Sequence, residues 1–99
     1  MAHDISLSAS TTTVAVTLAP ALVRLFPGAP RQVVVTAATV NELIDALDAR
    51  WPGMGDRLRD SRPSIRRHIN VFVEGKRAKL ETRLTPGSEV FVLTAISGG

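Results

Sequence analysis

Thr39-Val40-Asn41-Glu42-Leu43-Ile44-Asp45-Ala46-Leu47-Asp48-Ala49-Arg50-Trp51-Pro52-Gly53 is the stretch from which the fold of this chain is read. Thr39 followed three residues later by Glu42 is a capping box. The threonine hydroxyl accepts from the Glu42 amide and the glutamate side chain reaches back to the helix start. Val40, Leu43, Ile44 and Leu47 then recur at i, i+3, i+4 and i+7, which makes one apolar stripe. Asp45 and Asp48 lie off that stripe. Arg50 complements the negative end of the helix dipole, and Pro52-Gly53 ends the helix after Trp51. Trp51 itself is expected at the edge of the core.

A helix with a single apolar stripe needs a sheet to cover, and the flanking sequence supplies strands. Upstream, Val14, Val16 and Leu18 alternate with Ala15 and Thr17. Pro20 ends that strand, Leu22 and Phe26 fold back onto the core, and Pro27-Gly28-Ala29-Pro30 turns the chain. Gln32–Thr36 forms a second strand, with Val33 and Val35 on one face and Gln32, Val34 and Thr36 on the other. Its distance from the first suits a hairpin with a long loop. Downstream, residues 54–67 read as irregular and arginine-rich, with Leu58 as an apolar anchor. Ile69–Glu74 is the third strand: Ile69, Val71 and Val73 share one face, Asn70, Phe72 and Glu74 the other. Glu74-Gly75-Lys76 turns, a minor strand is expected around Ala78–Leu80, and Leu84 points inward. Pro86-Gly87 then leads into a last strand, Glu89–Thr94. The order predicts an α+β domain, a mixed four- to five-stranded sheet with one main helix on one face.

With 99 residues the chain has room for one domain. Residues 1–13, rich in serine and threonine, are expected to be a disordered tail, residues 14–95 the domain and residues 96–99 a flexible C-terminal tail. No apolar run reaches the ~18 residues of a membrane helix. The N-terminus lacks the pattern of a secretory signal, so the cytoplasm is the expected compartment. Without cysteine, disulfides, thiolate metal sites and cysteine nucleophiles are excluded. The net charge of +3 invites a nucleic-acid reading. Yet Arg57, Arg59, Arg62, Arg66 and Arg67 are interleaved with Asp56 and Asp60 and no aromatic residue, which leaves a weak basic patch and makes nucleic acid an unfavoured partner.

Chemical motifs are absent. His3 and His68 have no ligand spacing, so no metal site is expected. Neither a nucleophile elbow nor a phosphate-cradling glycine loop is present, and no carboxylates stand out as an acid/base pair. The chain reads as no enzyme. Two features remain. The first is the terminal Gly98-Gly99, a pair without Cβ atoms that can thread a narrow channel and present its carboxylate to another protein. A bare carboxylate is a poor electrophile, so chemistry there requires activation from outside. The second is the face of the sheet that one helix cannot cover. Alternation puts Phe72, Phe91 and Leu93 on it, an apolar patch that implies a partner, unless residues 54–67 cover it.

The element order, the helix ending in Trp51-Pro52-Gly53, the stretch His68-Ile69-Asn70-Val71-Phe72-Val73-Glu74-Gly75 and the terminal Gly98-Gly99 together resemble the MoaD/ThiS family of ubiquitin-like sulfur carriers. The resemblance runs from about Val14 to the end and implies a β-grasp fold. It implies that a partner resembling the ubiquitin-activating enzymes, an adenylyltransferase, spends ATP to adenylate the C-terminal carboxylate. A sulfur donor then converts it to a thiocarboxylate, which serves a sulfur-accepting biosynthetic enzyme. By this resemblance Gly99 bears the sulfur and Gly98 threads the channel, with no cofactor bound by the chain itself; the open sheet face, through Phe72, Phe91 and Leu93 with Ile96 of the tail, is expected to dock the partner. The alternatives are a protein modifier joined through Gly99 to lysines, a small binding module for RNA through Arg57 to Arg67, and an assembly subunit that uses the sheet face without tail chemistry.

Overall fold

The alternation along the strands is realised in one mixed sheet. The computed structural model describes residues 12–61 and 64–94. Along the chain come β1 (Thr13–Leu18), α1 (Pro20–Leu25), β2 (Gln32–Thr36), α2 (Val40–Arg50), α3 (Met54–Leu58), β3 (Ile69–Val73), β4 (Lys76–Arg77) and β5 (Glu89–Thr94). The strand order is β2-β1-β5-β3-β4. The first and last strands lie side by side and parallel at the centre, with Val16 beside Val90 and Leu18 beside Val92. Every other pairing is antiparallel. This is the β-grasp arrangement, with five strands. Val14, Val16, Leu18, Val71, Val90 and Val92 point to one side, where they share a core with Leu43, Ile44 and Leu47 of α2. No helix among the described residues is long and apolar enough to cross a membrane.

Thr39 caps α2 as read, its Oγ1 accepting from the Glu42 amide at 3.2 Å. Glu42 reaches one residue further back than a simple capping box, to the Ala38 amide at 2.9 Å. The segment it meets is bridged to the chain near Arg83, the Val40 amide donating to the Thr82 carbonyl and the Leu84 amide to that of Ala38. Leu84 is buried, and Trp51 is a half-buried edge of the core.

Three details differ from the sequence reading. Residues 20–25 form a helical turn and a half with Pro20 at its start, where a fixed φ and a missing amide cost nothing. Leu22 is buried by it. Residues 54–58, read as irregular, are helical, and bury Met54 as completely as Leu58. The reason is a distant cap. Asp48 Oδ1, on α2, accepts from the amides of Gly53 at 3.0 Å and Gly55 at 2.9 Å. Gly53 enters α3 with φ at +101°, a left-handed value that glycine tolerates best. The minor strand lies at Lys76–Arg77, before the expected Ala78–Leu80. Glu74 and Gly75 both have positive φ, +52° and +82°, as a two-residue type I′ turn requires. Val73 therefore pairs with Lys76 at once. Glu74 is held in this conformation by β5, its amide donating to the Glu89 carbonyl and its carboxylate accepting from the Glu89 amide at 2.6 Å.

Candidate functional site

The face of the sheet away from α2 carries the second set of alternating residues. Phe72 of β3 stands directly opposite Phe91 of β5, and Asn70 stands opposite Leu93. On the other side of β5, Phe91 is level with Thr17 and Glu89 with Ala15. Ala15 in turn is opposite Val34 on β2. Side chains at directly opposed positions have Cβ atoms roughly 4.5–5.5 Å apart, so Phe72 and Phe91 touch. Phe72 is half-buried, while Phe91 remains 38% exposed and Leu93 36%. Among the described residues of 54–67, none closes over either of the last two, which stay exposed.

Sequence reasoning put Val34 on one face of β2 with Gln32 and Thr36 but did not join it to the patch. At 57% exposure it is the most open large apolar residue of the sheet. It lines a recess of about 250 Å³ with Ala15, Thr17, Gln32 and Phe91. The signal was the alternation of β2; what was missing was the strand order, which carries Val34 beside β1 and close to β5. The patch thus runs from Val34 across Thr17 to Phe91, Phe72 and Leu93. Arg50 Nη2 donates to the Val34 carbonyl at 3.1 Å and so occupies a backbone acceptor of this outermost strand. A sheet edge capped in this way is poorly suited to pairing with another strand, and the side-chain face is what it offers.

Ile96, Gly98 and Gly99 lie outside the described residues. The last described residue, Thr94, stands opposite Ile69, one position beyond the Leu93–Asn70 pair, so the strand that carries Phe91 and Leu93 is the one that leads into residues 95–99. Among the described residues no group of three histidine, cysteine or acidic side chains could hold a metal ion. His68 is exposed beside β3. Nothing on the patch is a nucleophile poised against a base. Its chemistry is that of recognition: two aromatic rings and aliphatic side chains, bordered by Thr17, Gln32, Asn70 and Glu89.

Comparison with known proteins places this arrangement. The ThiS family model matches residues 21–99, from α1 through both terminal glycines. The chain belongs to the ThiS family. Over 86 residues it is 28% identical to the sulfur carrier protein CysO of Mycobacterium tuberculosis, covering 81% of this chain and 92% of that one. A chain in the crystal structure of the BexX/CysO complex of Amycolatopsis orientalis superposes with a TM-score of 0.76 at 31% identity, over 87% of this chain and 99% of that one. The small archaeal modifier protein 1 of Haloferax volcanii does so at 0.73 and 26%, over 86% and 99%. Membership of the ThiS family and the β-grasp fold accord with the resemblance seen in the sequence.

Proposed function

We propose that this ThiS-family chain is a sulfur carrier whose working group is the carboxylate of Gly99. The observation that carries this reading is that the family match extends through Gly98 and Gly99. The similarity to CysO supports it further. The chain acts as co-substrate and carrier, and its partners supply the catalysis. An adenylyltransferase similar to ubiquitin-activating enzymes binds the open sheet face through Phe72, Phe91 and Leu93, joined by Ile96. It receives Gly98-Gly99 in a narrow channel, where the absence of Cβ atoms permits close approach. A Gly99 carboxylate oxygen attacks the α-phosphorus of ATP and pyrophosphate leaves. A sulfide-level nucleophile from a sulfur donor then attacks the acyl carbon and AMP leaves, giving a thiocarboxylate. A biosynthetic enzyme takes the sulfur from it. That the similar CysO of Amycolatopsis orientalis is found in a complex with BexX supports docking to a partner protein.

Intact mass after incubation with the activating enzyme, ATP and a sulfur source tests the proposal. The expected result is a gain of about 16 Da, oxygen replaced by sulfur, localised to Gly99 by fragmentation. A chain extended by one alanine should stay unmodified, because its terminus is displaced by roughly 3.3–3.6 Å. Equal modification of the extended chain, or no gain in the native one, overturns the reading. The likeness to a small archaeal modifier protein favours a second use of the same activated terminus, attack by a lysine amine of another protein. An isopeptide bond from Gly99 to lysine in the same reconstitution would identify that use.

A further inference from the structure

The single long helix does not cover the whole inner face. α2 packs against β2 and α3. Beside β3 a cleft of about 440 Å³ is lined by residues of the segments 64–67 and 77–81. Its floor is aliphatic: Ile69, Val71, Ala78 and Leu80 are buried there, and Ile65 is half-buried. Its rim is cationic, with Arg66, Arg67 and Lys79 against a single acid, Glu81.

The arginine run thus divides into two kinds. Arg59 is spent internally, paired with Asp45 and hydrogen-bonded to Asn41. Arg66 is partly tethered, its Nε donating to the Asp56 carbonyl. No carboxylate of the described residues lies within ion-pair distance of Arg67 or Lys79, and both are exposed. Exposed cations on a convex surface are simply solvated. Here they surround a concave apolar floor, which lowers the effective dielectric and strengthens their pull on an opposite charge.

We propose that this cleft docks an extended segment of a partner protein in which acidic residues flank apolar ones. The apolar side chains would lie on Ile69, Val71 and Leu80 and the carboxylates on Arg67 and Lys79. Nucleic acid is the poorer fit, because no aromatic side chain lines the cleft to stack a base. By the alternation of β3, this surface lies on the face opposite Phe72, Phe91 and Leu93, so the chain can hold a second partner while its open face is occupied. The proposal does not depend on sulfur chemistry at Gly99.

The test is a binding titration of the full chain with a fluorescein-labelled peptide of leucines flanked by glutamates, followed by anisotropy and by amide NMR shifts. A lysine-for-glutamate peptide and single-stranded oligouridine are the comparisons. Saturable binding is expected, with shifts confined to the amides around Ile69, Val71, Ala78 and Leu80. Arg67→Glu with Lys79→Glu should weaken it about tenfold or more, through like-charge repulsion. Glu81→Lys should strengthen it, a gain that misfolding cannot mimic. Phe91→Asp should leave it unchanged. Shifts centred on Phe91 and Leu93, equal binding of the lysine peptide, tighter binding of oligouridine, or indifference to the charge variants would overturn the proposal. Neither ATP nor the terminal glycines enter this assay, so its failure and that of the sulfur-carrier reading are separable.

Discussion

Residues of β5 taken alternately belong to two different surfaces. Val90 and Val92 are fully buried under the helices, whereas Phe91 and Leu93, their immediate neighbours, remain more than a third exposed. β1 shows the same division, with Val14, Val16 and Leu18 inside and Ala15 and Thr17 outside. The inner positions are filled by valine and leucine, compact side chains that pack closely beneath a helix. Aromatic and aliphatic groups are mixed with threonine and glutamate on the outer face, a composition close to that of a protein–protein interface. One strand therefore sets its even residues in the core and leaves its odd ones on the open face. The difference between the faces lies in what covers them, more than in hydrophobicity.

If the inner face is the source of stability, truncation there should have the largest effect. Leu47→Ala, which removes a fully buried stripe residue, should cost about 2–5 kcal/mol in urea unfolding. On the outer face the same measurement should move little for Phe91→Asp, by less than about 1 kcal/mol. Affinity for the activating enzyme, measured by calorimetry, should instead fall by about 2 kcal/mol or more. An unfolded Phe91→Asp variant would show that the open face is core after all. The supports around α2 should give smaller effects. A Cβ at Gly55 would lie 3.1 Å from the Cβ, Cγ and Oδ1 of Asp48, the residue that caps α3. Gly55→Ala should therefore cost about 1–3 kcal/mol by overpacking and a weakened cap. Smallest of the four, Thr39→Ala should cost about 0.5–2 kcal/mol, read in the same unfolding experiment.

What could be read beforehand was what depends on neighbours in sequence. The cap and stripe of α2, the two faces of β3 and the inward turn of Leu84 all rest on spacings of a few residues. The short helix at Met54–Leu58 rests on Asp48, which reaches the Gly55 amide from seven residues away in another helix. No local pattern announces that contact. Pro20 has two meanings, strand terminator and first residue of a helix, and both hold here. At Glu74 a non-glycine residue adopts positive φ because β5 grips its amide and carboxylate, so the tight turn and the early start of β4 follow from a strand some fifteen residues away. The candidate site was legible in the same measure. Alternation alone put Phe72, Phe91 and Leu93 on one face, while adding Val34 required the order of the strands. That order is a property of the whole chain.

The parallel pairing of β1 with β5 bears on how the protein is born. Ala15 is beside Glu89, and most of the chain lies between them. Contacts of such long sequence separation make folding slow, because the loop must close before the pairing rewards it. During synthesis β1 emerges first and waits for its central neighbour until the ribosome has passed residue 89. A nascent chain halted earlier has β1 and β3 without the strand that joins them, each with an unpaired edge, the kind of feature that makes incomplete chains prone to aggregation. Prematurely ended chains should accordingly be lost to aggregation before they can compete with finished ones for a partner.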